Sequence, residues 1–202
     1  MRRLLIVAVG LLSLVVVACG PDTEAATPSS TAVPEPPPAD RWQTTTDPAT
    51  GISFALPGKA KVATRDGNAE GTTPDIRSYQ VEVAPDLGIA VNFGEAAAAD
   101  YSAAGLADVA DSIVSQFAAQ GATDTVVTDR EETTVGDHPA LDFRVSSTSK
   151  SGQKSIWLVR AIGDGTRVVQ LQSIAFADSD DASSVTPVVE RYHRVLLESL
   201  KL

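Results

Sequence analysis

Four runs, Thr125–Glu132, Ala140–Thr148, Lys154–Ile162 and Thr166–Phe176, alternate apolar and polar residues, and their connections contain Gly136-Asp137, Ser151-Gly152 and Gly163-Asp164-Gly165. A period of two places one face of each run against a core and the other against a second layer or solvent. Connections this short and this rich in glycine cannot carry a crossover. They suit β-hairpins, so the four runs are expected to be antiparallel neighbours in one sheet.

The same pattern occurs upstream in shorter pieces. A first strand is expected over Arg41–Thr46, ended by Asp47-Pro48-Ala49-Thr50-Gly51. Ile52, Phe54 and Leu56 line a second, closed by Pro57-Gly58, and a third runs over Ala60–Thr64. Arg77, Tyr79, Val81 and Val83 share a face, and Pro85-Asp86-Leu87-Gly88 turns the chain into Ile89, Val91 and Phe93. Two segments change period. Leu106, Val109, Ala110, Ile113, Val114 and Phe117 follow the i, i+3, i+4, i+7 rule of an amphipathic helix, with Gly121 as its stop. A closing helix over about Ser183–Leu200 places Val185, Val188, Val189, Tyr192, Leu196 and Leu200 on one face. Pro187 fits only a first turn, which puts the expected start near Thr186. The fold class is therefore α+β: a twisted, mostly antiparallel sheet flanked by helices.

Ahead of this domain the chain has a different character. Arg2 and Arg3, the apolar run Leu4–Val17 and the small Ala18 are the three parts of an export signal over residues 1–18. The apolar run is shorter than the roughly 20 residues that span a bilayer. Val16-Val17-Ala18-Cys19 resembles the lipobox of bacterial lipoproteins, and Cys19 is the single cysteine of the chain. The resemblance implies cleavage after Ala18 and a diacylglycerol on the Cys19 thiol, two acyl chains being enough for stable anchoring. Residues 19–40 then form a tether with no aromatic residue and six prolines, four of them at Pro34, Pro36, Pro37 and Pro38. Such a segment cannot bury enough apolar surface to offset its chain entropy. All ten aromatic residues lie in 41–202, which marks a single globular domain.

The order of elements resembles the PsbP-like α/β/α sandwich of DcrB-type and LpqN-type bacterial envelope lipoproteins. The residues that carry the likeness are Asp47-Pro48-Ala49-Thr50-Gly51-Ile52-Ser53-Phe54-Ala55-Leu56-Pro57-Gly58, the central helix, Gly136-Asp137-His138-Pro139-Ala140 and the terminal Leu197-Glu198-Ser199-Leu200-Lys201-Leu202. They are structural motifs, and they imply a fold more than an activity.

Chemistry is sparse. His138, expected in a turn, and His193, beside the apolar stripe of the last helix, have no partner at metal-ligand spacing, and their expected roles are structural or solvated. There is no Gly-x-Ser-x-Gly elbow and no phosphate-binding loop. Asp178, Asp180 and Asp181 form the densest acidic cluster. They lack the glycine and distal glutamate of an EF-hand, and their place before a helix suits capping. Asp129-Arg130-Glu131-Glu132 is a solvated charged strand end. Trp157 is expected in the core, and Trp42, next to the tether, on the surface. No catalytic residue, metal ligand or cofactor is assigned. A net charge of −10 excludes a general nucleic-acid binder.

The expected function is a non-enzymatic envelope module, held at the extracytoplasmic face of the cell membrane through lipidated Cys19. Its partners would be an apolar small molecule or envelope lipid, seated between the sheet and the helix Leu106–Phe117, or an envelope protein. Two alternatives are an exposed adhesion or antigen module and a glycan hydrolase with paired carboxylates, which would have to flank a cleft at ~5 to 10 Å.

Overall fold

The computed structural model describes residues 34–67, 74–97, 99–177 and 182–202. Cys19, the export signal and the acidic cluster Asp178, Asp180 and Asp181 lie outside them. The described chain runs through a 3-10 turn at Ala39–Arg41, then β1 (Gln43–Thr46), β2 (Ser53–Leu56), β3 (Lys61–Arg65), β4 (Asp75–Ala84) and β5 (Leu87–Glu95). It continues with α1 (Ala103–Ala119), β6 (Thr123–Val135), β7 (His138–Thr148), β8 (Lys154–Asp164), β9 (Arg167–Ala177) and α2 (Ala182–Ser199). β3 to β9 form one antiparallel sheet of seven strands in the order β3-β4-β5-β9-β8-β7-β6, and β1 and β2 form a separate hairpin. The α+β expectation holds.

The hairpin turns are those the glycines announce. Val135 pairs with His138 across Gly136-Asp137, and Asp164 pairs with Arg167 across Gly165-Thr166. Both glycines have positive φ, 60° and 61°, as two-residue turns of this hand require. His138 is thus the first residue of β7, not a turn residue.

Each face of the large sheet has its own helix. α1 buries Leu106, Val109, Ala110 and Phe117 against Leu141, Phe143, Val145, Trp157 and Val159. Trp157 meets Phe117 edge to face at 5.2 Å, and its indole N–H reaches Ser155 Oγ at 3.1 Å, so it is core as expected. On the opposite face α2 and the β1–β2 hairpin lie side by side, and Phe54, Leu56, Tyr79, Phe93, Leu171, Val189, Tyr192 and Leu196 close the second core. Ser53 and Lys201 exchange backbone hydrogen bonds at 2.9 and 2.8 Å, which staples the end of the chain to the hairpin.

α2 starts at Ala182, ahead of the start near Thr186 that Pro187 implied, and Pro187 sits inside the helix. Its ring removes one backbone bond. Burial of Val189, Tyr192 and Leu196 over the sheet outweighs that local loss. β6, the long edge strand, carries two register shifts, Thr123/Val126 and Thr128/Glu131, each with an aspartate at positive φ, Asp124 (52°) and Asp129 (53°). Bulges and the exposed charges of 129–132 are the devices that stop an edge from pairing with another chain.

Trp42 departs from expectation. It is buried, 6% exposed, beside Tyr192 at a centroid distance of 6.0 Å, and its indole N–H donates to Pro37 O at 3.1 Å. The reason is that residues 34–38, counted with the tether, lie along α2 and cover it.

Candidate functional site

The sheet order brings together residues from distant parts of the chain. Asp75 of β4 faces Glu95 of β5, Glu95 faces Arg167 of β9, and Arg167 faces Asp164 of β8. One step inward the next row on the same face is Arg77, Phe93, Val169 and Ile162. Strand alternation thus builds a charged row beside a mainly apolar row on the face shared with α2 and the hairpin. The β1–β2 turn, through Ala49, Thr50 and Ile52, and the terminal Leu202 close over this corner and leave a cavity of about 410 Å³. Arg65, Asp66 and His138 complete its rim.

The cavity expected between the sheet and α1 is not there. Among Val109, Ile113, Phe117, Trp157 and Gln170 only about 10 Å³ remains, room for roughly one water. α1 is amphipathic with a stripe wide enough to seat fully, whereas the β1–β2 turn and Leu202 close over the other corner without filling the space beneath them.

Asp47 holds the roof of the larger pocket. It is fully buried. Its Oδ2 accepts from Thr50 N and Thr50 Oγ1 at 3.1 and 3.0 Å, and its Oδ1 accepts from Tyr79 OH at 3.1 Å. Arg77 Nε forms an ion pair with the same Oδ1 at 3.0 Å. Gly51, at φ +76°, lets the turn close, with Gly51 N on Asp47 O at 2.8 Å and Asp47 N on Ile52 O at 2.9 Å. One carboxylate therefore ties roof to floor. Burial and the Asp47 bond both push the Tyr79 hydroxyl above its ordinary pKa, so it stays a donor.

The rim is charged on both signs. Arg167 pairs with Asp164, and His138 Nδ1 stands 3.9 Å from Asp164 Oδ1. Asp75 Oδ1 accepts from Gly67 N at 2.6 Å. Asp75 and Glu95 are register partners on one sheet face, and Asp66 and Asp164 add two further carboxylates to the pocket lining. Floor and rim together suit an amphipathic molecule, with an apolar body against Phe93, Ile162 and Val169 and a polar or zwitterionic head among the charges.

His193 is not part of this pocket. It is buried between α2 and the sheet, with Nδ1 3.1 Å from Ser173 Oγ, and burial pushes its pKa down to about 4. Asp142 and Arg160, near it and joined to each other by bonds of 2.6 and 2.5 Å, act on it in opposite directions. Of the histidines, tryptophans and acidic clusters weighed for chemistry in the sequence, His138 alone lines the pocket among the described residues. Asp47, Arg77, Glu95, Asp164 and Arg167 were not assigned. A signal existed for one of them, because alternation puts Arg77 on the same face as Tyr79, Val81 and Val83, and a charge on an apolar face needs a partner.

No family model matches the chain, and no curated protein matches it. Among solved structures, the cyanobacterial PsbP (CyanoP) of Synechocystis sp. PCC 6803 superposes with a TM-score of 0.52 at 11% identity, over 89% of this chain and 98% of that one. PA94 of Pseudomonas aeruginosa, a protein of unknown function, gives 0.40 at 12% identity, over 74% of this chain and 92% of that one. The likeness to CyanoP shows the fold: the domain is PsbP-like.

Proposed function

We propose that the chain is a non-enzymatic binding module of a bacterial cell envelope, anchored at the extracytoplasmic face of the membrane through lipidated Cys19, whose corner pocket takes an amphipathic envelope molecule. The observation that carries the binding reading is the pocket of about 410 Å³ with Phe93, Ile162 and Val169 as floor and the Asp75, Glu95, Arg167 and Asp164 row as rim. That volume is in the range of small-molecule sites, and an apolar base with a few convergent polar groups is their usual build. The anchor reading rests on Val16-Val17-Ala18-Cys19 and on the absence of any other cysteine. An envelope protein that uses a sheet face is the other partner in this class.

Two measurements test the halves separately. Native mass spectrometry of the chain from residue 19 carrying Cys19→Ser, mixed with envelope lipid extract, is expected to show added mass in the amphiphile range. Arg167→Glu, a change at a residue about two-fifths exposed, is expected to lower that occupancy at least fivefold. A clean unliganded mass throughout would sink the pocket reading. For the anchor, detergent phase partitioning is expected to send the expressed wild type to the detergent phase and Cys19→Ser to the aqueous phase. Both proteins in the aqueous phase would remove it.

A further inference from the structure

The end of the tether is bound to the domain in a specific way. Glu35 makes a two-pronged ion pair with Arg191, at 2.7 Å to Nε and 2.6 Å to Nη2, and Tyr192 OH donates to Glu35 O at 3.3 Å. Trp42 Nε1 donates to Pro37 O, and Pro38 has φ −48° and ψ 142°, close to polyproline II. A polyproline II strand has no internal hydrogen bonds, so its carbonyls are free to accept from outside. Aromatic residues that offer an N–H or O–H to those carbonyls while their rings pack on the prolines are the general means of recognising such a strand. Trp42 and Tyr192 supply both donors, and Arg191 reads the one acidic residue between the prolines.

We propose that Trp42, Arg191 and Tyr192 form a polyproline-recognition groove whose resident ligand is the chain's own Pro34–Pro38, docked reversibly, so that the free tether has two lengths. Docked, the span left between Cys19 and the domain is 20–33. Undocked, it is 20–40. At ~3.1 Å per residue the maximum reach changes from roughly 45 to roughly 65 Å. The length argument rests on the anchor reading; the groove does not.

The contact is built to be reversible. Arg191 and Glu35 are 40% and 67% exposed, and an ion pair so exposed is weak and salt-screened. The prolines limit the entropy lost on docking, since the strand is already extended when free. Release would free the Trp42 indole N–H from Pro37 O and open it to water.

Two tryptophans make the test direct, because a ¹⁵N spectrum of the chain from residue 19 with Cys19→Ser holds two indole N–H signals. Trp42 is expected to exchange its indole hydrogen slowly at low salt. Glu35→Arg and Arg191→Glu are each expected to speed that exchange at least fivefold, as is 0.5 M NaCl on the parent chain. Trp157, bonded to Ser155 inside the other core, is the internal control and is expected not to change. The double swap Glu35→Arg with Arg191→Glu is expected to restore slow exchange. Equal Trp42 exchange in the parent and single variants, or a double swap that fails to restore it, would overturn the groove. The chain used has no anchor, so this outcome is independent of detergent partitioning.

Discussion

Asp47→Ala is expected to cost about 3 kcal/mol of folding stability, which for a domain of this size lowers Tm by about 6–12 °C. The carboxylate is fully buried, and it serves two donors of Thr50, the Tyr79 hydroxyl and the Arg77 guanidinium at once. Removing it leaves Tyr79 OH without an acceptor in the core and Arg77 facing an empty site. Arg77 is 28% exposed and can turn partly to water, which keeps the expected cost at the lower end of the range for a broken buried pair. Asp47→Asn keeps the size and one acceptor oxygen, and is expected to lose about half as much. Thermal and urea unfolding followed by circular dichroism measure both. A loss below about 1 kcal/mol for Asp47→Ala would show that the turn is held by its backbone bonds alone.

That residue also links stability to binding. Thr50 and Ile52 roof the pocket, and Asp47 fixes them relative to Arg77 on the floor. A loosened roof exposes Phe93, Ile162 and Val169 to water in the unliganded state. In Asp47→Asn, amphiphile occupancy is therefore expected to fall more than its modest stability loss explains, because ordering the roof would then be charged to binding.

The sheet was legible wherever its signals are local. Gly136-Asp137 and Gly165-Thr166 set two hairpins by their own backbone needs, and alternation in 140–176 set which residues face which helix. α1 was legible because its stripe repeats over several turns. The misplaced features all depend on partners far along the chain. Trp42 sits beside Tyr192, 150 residues later, under a strap whose composition reads as solvated. Pro187 gives a local stop signal that tertiary burial of Val189 and Tyr192 overrides. The pocket row Asp75, Glu95, Arg167 and Asp164 exists only because β5 pairs with β9, a crossover no short motif announces. Each of these residues, read in its own strand, is an ordinary polar strand end.

Acid is expected to destabilise the domain through His193 before most carboxylates titrate. Its ordinary pKa is 6.5, and burial against α2 lowers it to about 4 in the folded state. Above pH 7 the ring is neutral in both states and contributes no pH dependence. As pH falls through 6.5 the unfolded chain takes a proton that the folded chain refuses, so stability falls between 6.5 and about 4 and levels off below, where both forms are charged. At pH 4.5 the expected loss relative to pH 7 is about 2.5 kcal/mol. Around the ring, Asp142 from β7 favours the charged form and Arg160 from β8 opposes it. They are bound to each other, which leaves desolvation in control. Ser173 from β9 lies within hydrogen-bond distance of Nδ1 and adds no charge. His193→Gln keeps a polar group near Ser173 and cannot titrate, so the difference between wild type and variant isolates this residue from every carboxylate. Urea unfolding at pH 7.0, 5.5 and 4.5 is expected to show wild type losing stability faster than His193→Gln, with the gap opening steadily below pH 6.5. Parallel curves would mean that His193 accepts its proton without leaving the folded state, and that α2 yields enough to let water reach the ring.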